Sequence, residues 1–173
     1  MRHYITRSGG PLAGFLAIAA IGMGAAVPAS AVPAQSPFPD TTHYERVVDV
    51  EQFKVTDEEG IWFTTPVGRY CGIGDDGSYG CSGDLPGAPS GENEVGWFPG
   101  DPFPRLYHTD EPRFASGRRQ SILAGQTYVE YRGSRCAVTM ESGIYCVHGD
   151  DRNSQIMVTT GMTWRGSDAI PSS

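Results

Sequence analysis

Apolar residues along the chain come in short runs separated by glycine, proline and aspartate, and only residues 11–27 form a longer apolar stretch. Short runs rich in β-branched and aromatic residues are typical of strands. Four such runs lie at 47–55, 61–65, 121–131 and 155–164. We expect the first to be an edge strand, the second to end at Pro66, the third to break at Gly125 and the last to close the fold. The folded region is therefore predicted to be all-β with little helix.

Residues 82–117 are dominated by Gly, Pro, Asp and Glu. Loops longer than about 12–15 residues usually carry a function or contain short strands of their own. We expect one or both in this segment.

Residues 1–31 have the three parts of a secretory signal peptide. Arg2 and Arg7 make the start basic, residues 11–27 are apolar, and Ala29-Ser30-Ala31 is the small-residue triplet that signal peptidase recognises. A transmembrane anchor is the alternative, but a spanning helix needs about 20 apolar residues, and this run is shorter. We predict cleavage after Ala31, no membrane anchor after cleavage, and a secreted, extracellular or cell-envelope location.

The exported chain is predicted to have a proline-rich extended leader at 32–43, a single β domain at 44–165 and a flexible tail at 166–173. Removing Arg2 and Arg7 from the 13 basic residues leaves 11 against 20 acidic residues, a net charge of −9. Nucleic acids and anionic lipid surfaces are bound through clustered Lys and Arg. The charge balance therefore argues against both as partners.

All four cysteines lie in the exported part, and an even count there predicts two disulfides with three possible pairings. Cys71 and Cys81 are ten residues apart, and Cys136 and Cys146 repeat that spacing. Residues opposed across a β-hairpin lie within disulfide range. The spacing therefore favours the pairs 71–81 and 136–146.

In the first hairpin this pairing makes Asp75-Asp76-Gly77 a three-residue loop, with glycine where positive φ is favoured. Because side chains alternate between faces, Cys71, Ile73, Tyr79 and Cys81 then share one side of the sheet. Each cross-link closes about ten residues and is expected to stabilise the domain by somewhat less than about 3 kcal/mol.

In the second hairpin the same count places Cys136, Val138, Ile144 and Cys146 on one side. Its loop would be Met140-Glu141-Ser142, with the glycine one place later at Gly143. A longer or bulged loop is the alternative.

The segments that precede the cysteines also match, TTPVGRYC at 64–71 and VEYRGSRC at 129–136. Each has a strand, a glycine-containing turn, an arginine and a cysteine. This indicates one supersecondary unit used twice, at about 61–83 and 127–148, although chance similarity between two hairpins is the alternative. The predicted fold is a small disulfide-stapled domain built on two cystine-closed hairpins, arranged as a meander or a compact sandwich.

Four phrases of the sequence, FTTPVGRYCGI, GCSGDLPGAPSGENEV, ILAGQTYVEYRGSRCAV and GIYCV, resemble a family of small exported proteins of mycobacteria and related actinobacteria. The resemblance covers about residues 62–164. Its positions here are Thr65, Pro66, Gly68, Tyr70, Cys71, Gly72, Ile73, Gly80, Cys81, Gly83, Leu85 to Pro89, Gly91, Asn93, Leu123, Gly125, Gly133 and Cys136. Val67 and Arg69 stand where related sequences often carry Ser and Asn. The resemblance implies secretion and a disulfide-bonded β domain, and it implies no catalytic residue.

Nucleophilic catalysis finds little support in the sequence. The favoured disulfides occupy all four thiols, and the stretch around Ser90 lacks the G-x-S-x-G spacing of a nucleophile elbow. The exported histidines, His43, His108 and His148, lie in no recognisable catalytic setting. We predict no catalytic residue.

Metal binding is equally weakly supported. Asp75-Asp76-Gly77 and the segment 148–151 resemble pieces of calcium loops, but neither has the complete ligand pattern, and both fit ordinary turns. Two carboxylate pairs, Glu58-Glu59 and Glu92 with Glu94, could serve a glycosidase only at a defined separation. We expect these acids to lie on a solvated surface, and we predict no metal and no cofactor.

The best candidate for a binding surface is a group of aromatic and basic residues within the long segment. Aromatic residues and arginine are enriched where proteins bind partners. The candidates are Trp97, Phe98, Phe103, Arg105, Tyr107 and His108. The alternative is that they cover the small core.

The sequence therefore predicts an exported, non-enzymatic binding module whose partner is an unidentified envelope or extracellular molecule. A secreted hydrolase acting on envelope polymers is the enzymatic alternative. A purely structural or antigenic surface protein is the third.

Overall fold

The computed structural model describes residues 38–169, and the predicted signal peptide lies outside them. Twelve strands are present in this range. They are β1 Glu45–Arg46, β2 Ile61–Thr64, β3 Tyr70–Ile73, β4 Tyr79–Ser82, β5 Glu94–Trp97, β6 Arg105–Tyr107, β7 Ser121–Ile122, β8 Thr127–Tyr131, β9 Ser134–Val138, β10 Ile144–His148, β11 Ile156–Val158 and β12 Thr163–Arg165. Three short 3-10 helices complete the described elements, at Val50–Phe53, Arg152–Ser154 and Gly166–Ala169. The all-β prediction is confirmed.

The strands form two six-stranded sheets, and most of each sheet is a meander of five consecutive antiparallel strands. The N-terminal sheet has the order β6-β5-β4-β3-β2-β7, and the C-terminal sheet has the order β1-β8-β9-β10-β11-β12. The sixth strand of each sheet comes from the other half of the chain. β1 runs parallel to β8, with Glu45 opposite Thr127, and β7 runs parallel to β2, with Ser121 opposite Phe63. The repeated unit is therefore a whole five-stranded meander, and the short strand that precedes each meander pairs with the first strand of the other.

Each meander carries one disulfide between its second and third antiparallel strands, and both disulfides are those that the sequence favours. Cys71 is bonded to Cys81 and Cys136 to Cys146, with Cα atoms 4.1 Å apart in each pair. All four cysteines are fully buried in one core cluster to which both sheets contribute. The two sheets therefore pack as a sandwich around the two cystines.

The two cystine hairpins have the same three-residue loop. In the first loop Gly77 has φ of 85°, and in the second the corresponding residue is Ser142, with φ of 62°. A hydrogen bond of 2.8 Å from Thr139 N–H to Gly143 O closes the second loop. Met140-Glu141-Ser142 is therefore the loop, and a serine takes the conformation that glycine takes in the first hairpin.

Two other strand predictions are confirmed, one is wrong and one is wrong in part. Residues 61–65 contain β2, and 121–131 divide into β7 and β8 at Gly125. The run 47–55 does not form a strand, because β1 ends at Arg46 and the Asp49 carboxylate accepts a 3.1 Å hydrogen bond from Glu51 N–H at the start of a 3-10 helix. The run 155–164 is a hairpin, since the Thr159 side chain accepts hydrogen bonds from the turn.

Residues 82–117 contain the expected short strands, β5 and β6. At the other end of the chain, Phe38 of the predicted leader packs against Tyr145, with ring centroids 6.0 Å apart. No helix among residues 38–169 is long and apolar enough to cross a membrane.

Candidate functional site

Trp97, the first of the six predicted binding residues, lies in the core. Only 6% of its surface is exposed, and its ring stacks on Tyr79 and on His148, at 5.6 Å and 4.7 Å between centroids. Its indole N–H donates a 3.1 Å hydrogen bond to Asp101 O. For this residue the alternative that it covers the core is the correct one.

Three of the other predicted residues line one cleft of about 660 Å³ at the end of the N-terminal sheet. We call it the Phe98 cleft, and its lining residues are Asp76, Phe98, Pro99, Arg105, Tyr107 and Arg113. Ligand pockets in proteins commonly have volumes of about 300–1,000 Å³. Phe103 is 43% exposed but does not line the cleft. His108 is also outside the lining, and its Nδ1 lies 2.8 Å from Gly91 O.

Two guanidinium groups lie over the Phe98 ring, at 5.3 Å for Arg105 and 4.6 Å for Arg113. Arg105 is neutralised by a two-pronged ion pair with Asp101, in which Nε lies 2.6 Å from Oδ2. Arg113 has no carboxylate within ion-pair distance among residues 38–169. Its guanidinium therefore keeps its hydrogen-bond donors available in the lining of the cleft.

The wall of the cleft is held by Glu94, which is fully buried although the sequence predicts a solvated acid. The Ser82 and Tyr107 hydroxyls donate hydrogen bonds to its carboxylate. The backbone N–H of Arg113 donates at 2.8 Å and that of Phe114 at 3.4 Å. These four donors replace the water that a buried carboxylate would lose. The expectation for Glu94 is wrong because the chain after β6 folds over it.

This arrangement also affects Tyr107. Burial and the hydrogen bond to the Glu94 carboxylate raise the pKa of the Tyr107 phenol above its ordinary value of 10.0. The phenol is therefore protonated at neutral pH, and its proton is directed towards Glu94. It serves as a fixed aromatic wall and not as a base.

A second cleft of about 280 Å³ adjoins the first and shares Asp76 and Arg113 with it. We call it the Trp62 cleft, and its other lining residues are Glu59, Trp62, Gly74, Asp75, Ser78 and Phe114. Partial burial opposes ionisation of Asp76, but hydrogen bonds from Ser78 hold the pKa of its carboxyl below the ordinary value. The shared carboxylate is therefore charged at neutral pH.

The sheet beneath these clefts has three glycines in one cross-strand row. The row runs Trp62, Gly72, Gly80, Gly96 and Arg105. A Cβ atom on Gly72 would lie 2.5 Å from the Trp62 ring, and one on Gly80 would lie 2.4 Å from the Phe114 ring. The glycines thus let two aromatic rings lie directly on the backbone.

The structure brings together one serine and one histidine, but not as a nucleophile and base. Ser134 Oγ lies 2.6 Å from Gly77 O and 2.9 Å from His148 Nδ1. Since a carbonyl only accepts, the Ser134 proton goes to Gly77, and His148 Nδ1 must be the donor to Ser134. Ser134 is also buried. This pair joins the two sheets and offers no accessible nucleophile.

The acidic turns lie apart from any ligand cluster. Among residues 38–169 no group of three His, Cys, Asp or Glu side chains is placed to hold a metal ion. Asp75 is engaged instead by the Tyr131 hydroxyl at 2.5 Å.

Sequence reasoning missed Asp76 and Arg113 as cleft residues and Glu94 as the residue that holds the wall. The sequence did hold one signal for Glu94. It is the first residue of the run EVGW, whose other residues are apolar or glycine, so the acid belongs to a strand that is otherwise suited to burial. Arg113 carried no local signal, because a long connection brings it to Phe98. Comparison with protein-family models, curated proteins and solved structures finds no match to this chain.

Proposed function

We propose that the protein is an exported, non-enzymatic binding module and that the Phe98 cleft is where it holds its partner. The single observation that carries the proposal is the Arg113 guanidinium, which lies 4.6 Å from the Phe98 ring centre with no carboxylate partner among the described residues. Arginine and aromatic side chains are among the residues that most often dominate binding energy.

Export is supported by two features of the chain. Residues 1–31 have the composition of a signal peptide. Both disulfides are of a kind that persists in oxidising compartments. The resemblance to exported actinobacterial proteins supports the same proposal, and an envelope or extracellular molecule is the proposed partner.

The proposal is tested by capture from an envelope extract of the producing cells with the immobilised protein. Arg113→Ala should reduce the amount of captured partner by about tenfold, because it removes the unpaired guanidinium. The variant should fold normally, since Glu94 is bonded to the backbone N–H of Arg113 and not to its side chain. Arg119→Ala is the matched control, as it removes an equal charge from an exposed residue outside the cleft. Equal capture by both variants, or no specific capture at all, contradicts the proposal.

A further inference from the structure

The two clefts are adjacent, because Asp76 and Arg113 line both of them, and together they offer one groove to a ligand that spans both. We call it the shared groove. Its Trp62 end is lined by Glu59, Trp62 and Asp75. Its Phe98 end is lined by Phe98, Pro99 and Arg105 among others. A groove with two recognisable ends fits an elongated ligand better than a compact one.

The charges of the shared groove are separated along its length. The Trp62 end carries the carboxylates of Glu59 and Asp75, and the Phe98 end carries the guanidinium of Arg105. Asp76 and Arg113 lie where the two clefts meet.

Neighbouring charges reduce this separation without removing it. Arg132 lies 3.9 Å from Asp75, and Asp101 neutralises Arg105. Glu59 is exposed and has no ion pair among residues 38–169, and Arg113 has none either. The two charges left for a ligand are therefore an acid, Glu59, at the Trp62 end and a base, Arg113, where the two clefts meet. The positive charge of Arg113 also helps to hold the pKa of the neighbouring Asp76 carboxyl below its ordinary value.

Each end also has an aromatic surface that suits a particular ligand group. A cation at the Trp62 end can contact both the indole face and the Glu59 carboxylate, and tryptophan is the most favourable aromatic partner for a cation. A carboxylate where the two clefts meet can accept two parallel hydrogen bonds from the Arg113 guanidinium. Phe98 and Pro99 provide an apolar surface for the part of the ligand near that carboxylate.

We infer that the shared groove binds an extended peptide segment with a cationic side chain at the Trp62 end and an acidic side chain at Arg113, where the two clefts meet. This inference rests on the proposed function and names the chemistry of the partner. A neutral polysaccharide would leave both charges unpaired, and a polyanion would be repelled by Glu59 and Asp75. A peptide supplies both signs on one chain, and its extended backbone sets their separation at about 3.3 Å per residue.

The test uses capped synthetic peptides in which one lysine and one aspartate are separated by one to four Ala or Pro residues. Binding to the full chain is followed by NMR chemical shifts of the backbone amides. We expect one spacing to bind at least about tenfold more tightly than the others and to shift amides of groove residues. Replacing the lysine by glutamine and the aspartate by asparagine should weaken binding by about the same factor.

Charge reversal in the protein provides the matched variant. Arg113→Glu should lose the lysine–aspartate peptide and should instead bind a peptide in which a second lysine replaces the aspartate. Arg119→Glu makes the same charge change outside the groove and should bind as the parent does.

Each other outcome overturns the inference in a recognisable way. The groove does not recognise two opposite charges if the neutral peptides bind equally well or if binding does not depend on the spacing. The same conclusion follows if Arg113→Glu and Arg119→Glu lose equal binding affinity. If the partner captured from the extract is a polysaccharide that depends on Arg113, the peptide inference fails and the proposed function stands. If no peptide shifts the amide signals of groove residues and Arg113→Ala leaves capture unchanged, both the peptide inference and the proposed function fail.

Discussion

At the scale of single residues, the most consequential side chain is the Glu94 carboxylate. It is fully buried, and it joins β4, β6 and the connection after β6 through Ser82, Tyr107 and the backbone of Arg113. A buried charge is costly unless its hydrogen bonds are satisfied. Here two hydroxyl groups and two backbone N–H groups satisfy it, so Glu94 places both Tyr107 and Arg113 in the cleft wall.

Glu94→Gln keeps the shape of this side chain and replaces one acceptor oxygen by an NH₂ group. That group can take the Oε1 position, where the Tyr107 hydroxyl can turn to accept from it, but the hydrogen bonds at Oε2 lose the negative charge that strengthens them. We therefore expect the free energy of unfolding to fall by about 1–3 kcal/mol. Thermal and urea unfolding measure the change. Glu141→Gln, at an exposed loop position, is the control and should have almost no effect. Equal stability of the two variants would show that Glu94 does not hold the wall.

At the scale of elements, the two meanders have the same strand pairing but differ in the size of the side chains on their outer surfaces. The outer row of the N-terminal sheet contains Gly72, Gly80 and Gly96, whereas the corresponding row of the C-terminal sheet contains four bulky residues and one alanine. That row is Tyr128, Ala137, Tyr145, Met157 and Trp164. Side chains build the second surface outwards, while the first leaves space for Phe114 to lie on the backbone. The Phe98 cleft and the Trp62 cleft both lie on the glycine side.

Gly80→Ala tests the role of the glycine row. The added Cβ would lie 2.2 Å from Val95 O and 2.4 Å from the Phe114 ring, so strand or ring must move. We expect a loss of about 1–3 kcal/mol of stability and a displaced Phe114. Gly117→Ala is the control, since its Cβ would meet no atom within 4 Å, and it should change stability by no more than about 0.5 kcal/mol. Calorimetry gives the stability, and NMR shifts of the backbone amides of residues 111–115 show whether the Phe114 ring has moved. Equal stability of both variants would contradict the close-packing argument.

At the scale of the whole molecule, the two halves exchange a strand with each other. β1 belongs to the first half and pairs with β8, while β7 belongs to the second half and pairs with β2. The cystines of both meanders also share one core. Each half on its own would therefore lack one strand of its sheet and would leave one side of the shared core exposed.

A chain cut between Gly117 and Arg118, both exposed, should remain a single folded particle. We expect the two fragments to elute together from a sizing column and each fragment alone to lack stable tertiary structure. A second fragment that begins at Leu123 lacks β7 and should bind the N-terminal fragment at least about tenfold more weakly. Folding of either fragment alone, or equal binding of the two C-terminal fragments, would show that the exchange does not hold the halves together.

Much of the local structure was predictable because it depends on residues close together in the chain. The ten-residue spacing of the cysteines and the alternation of Ile73 and Tyr79 set the first hairpin, and the second follows from the same count. The predictions for 47–55 and 155–164 failed where a polar side chain, Asp49 or Thr159, hydrogen-bonds to a nearby backbone N–H and starts a turn. Residues of this kind offer the backbone an alternative to a strand.

The site was predictable only in part. Phe98, Arg105 and Tyr107 were identified because aromatic and basic residues cluster in one long segment. Asp76 lies in the loop between β3 and β4, and Arg113 follows β6. No short-range pattern relates them. Their meeting at Phe98 depends on the register of β4 against β5 and on the burial of Glu94.

The amino-acid sequence by itself determined the two cystine hairpins and the all-β class, because strand pairing across a short loop depends on local spacing and alternation. The tertiary structure decided the exchange of β1 and β7, the core position of Trp97 and the assembly of the groove. These features depend on contacts between residues far apart in the chain. They require the two sheets to pack around one core and the buried Glu94 carboxylate to accept its four hydrogen bonds.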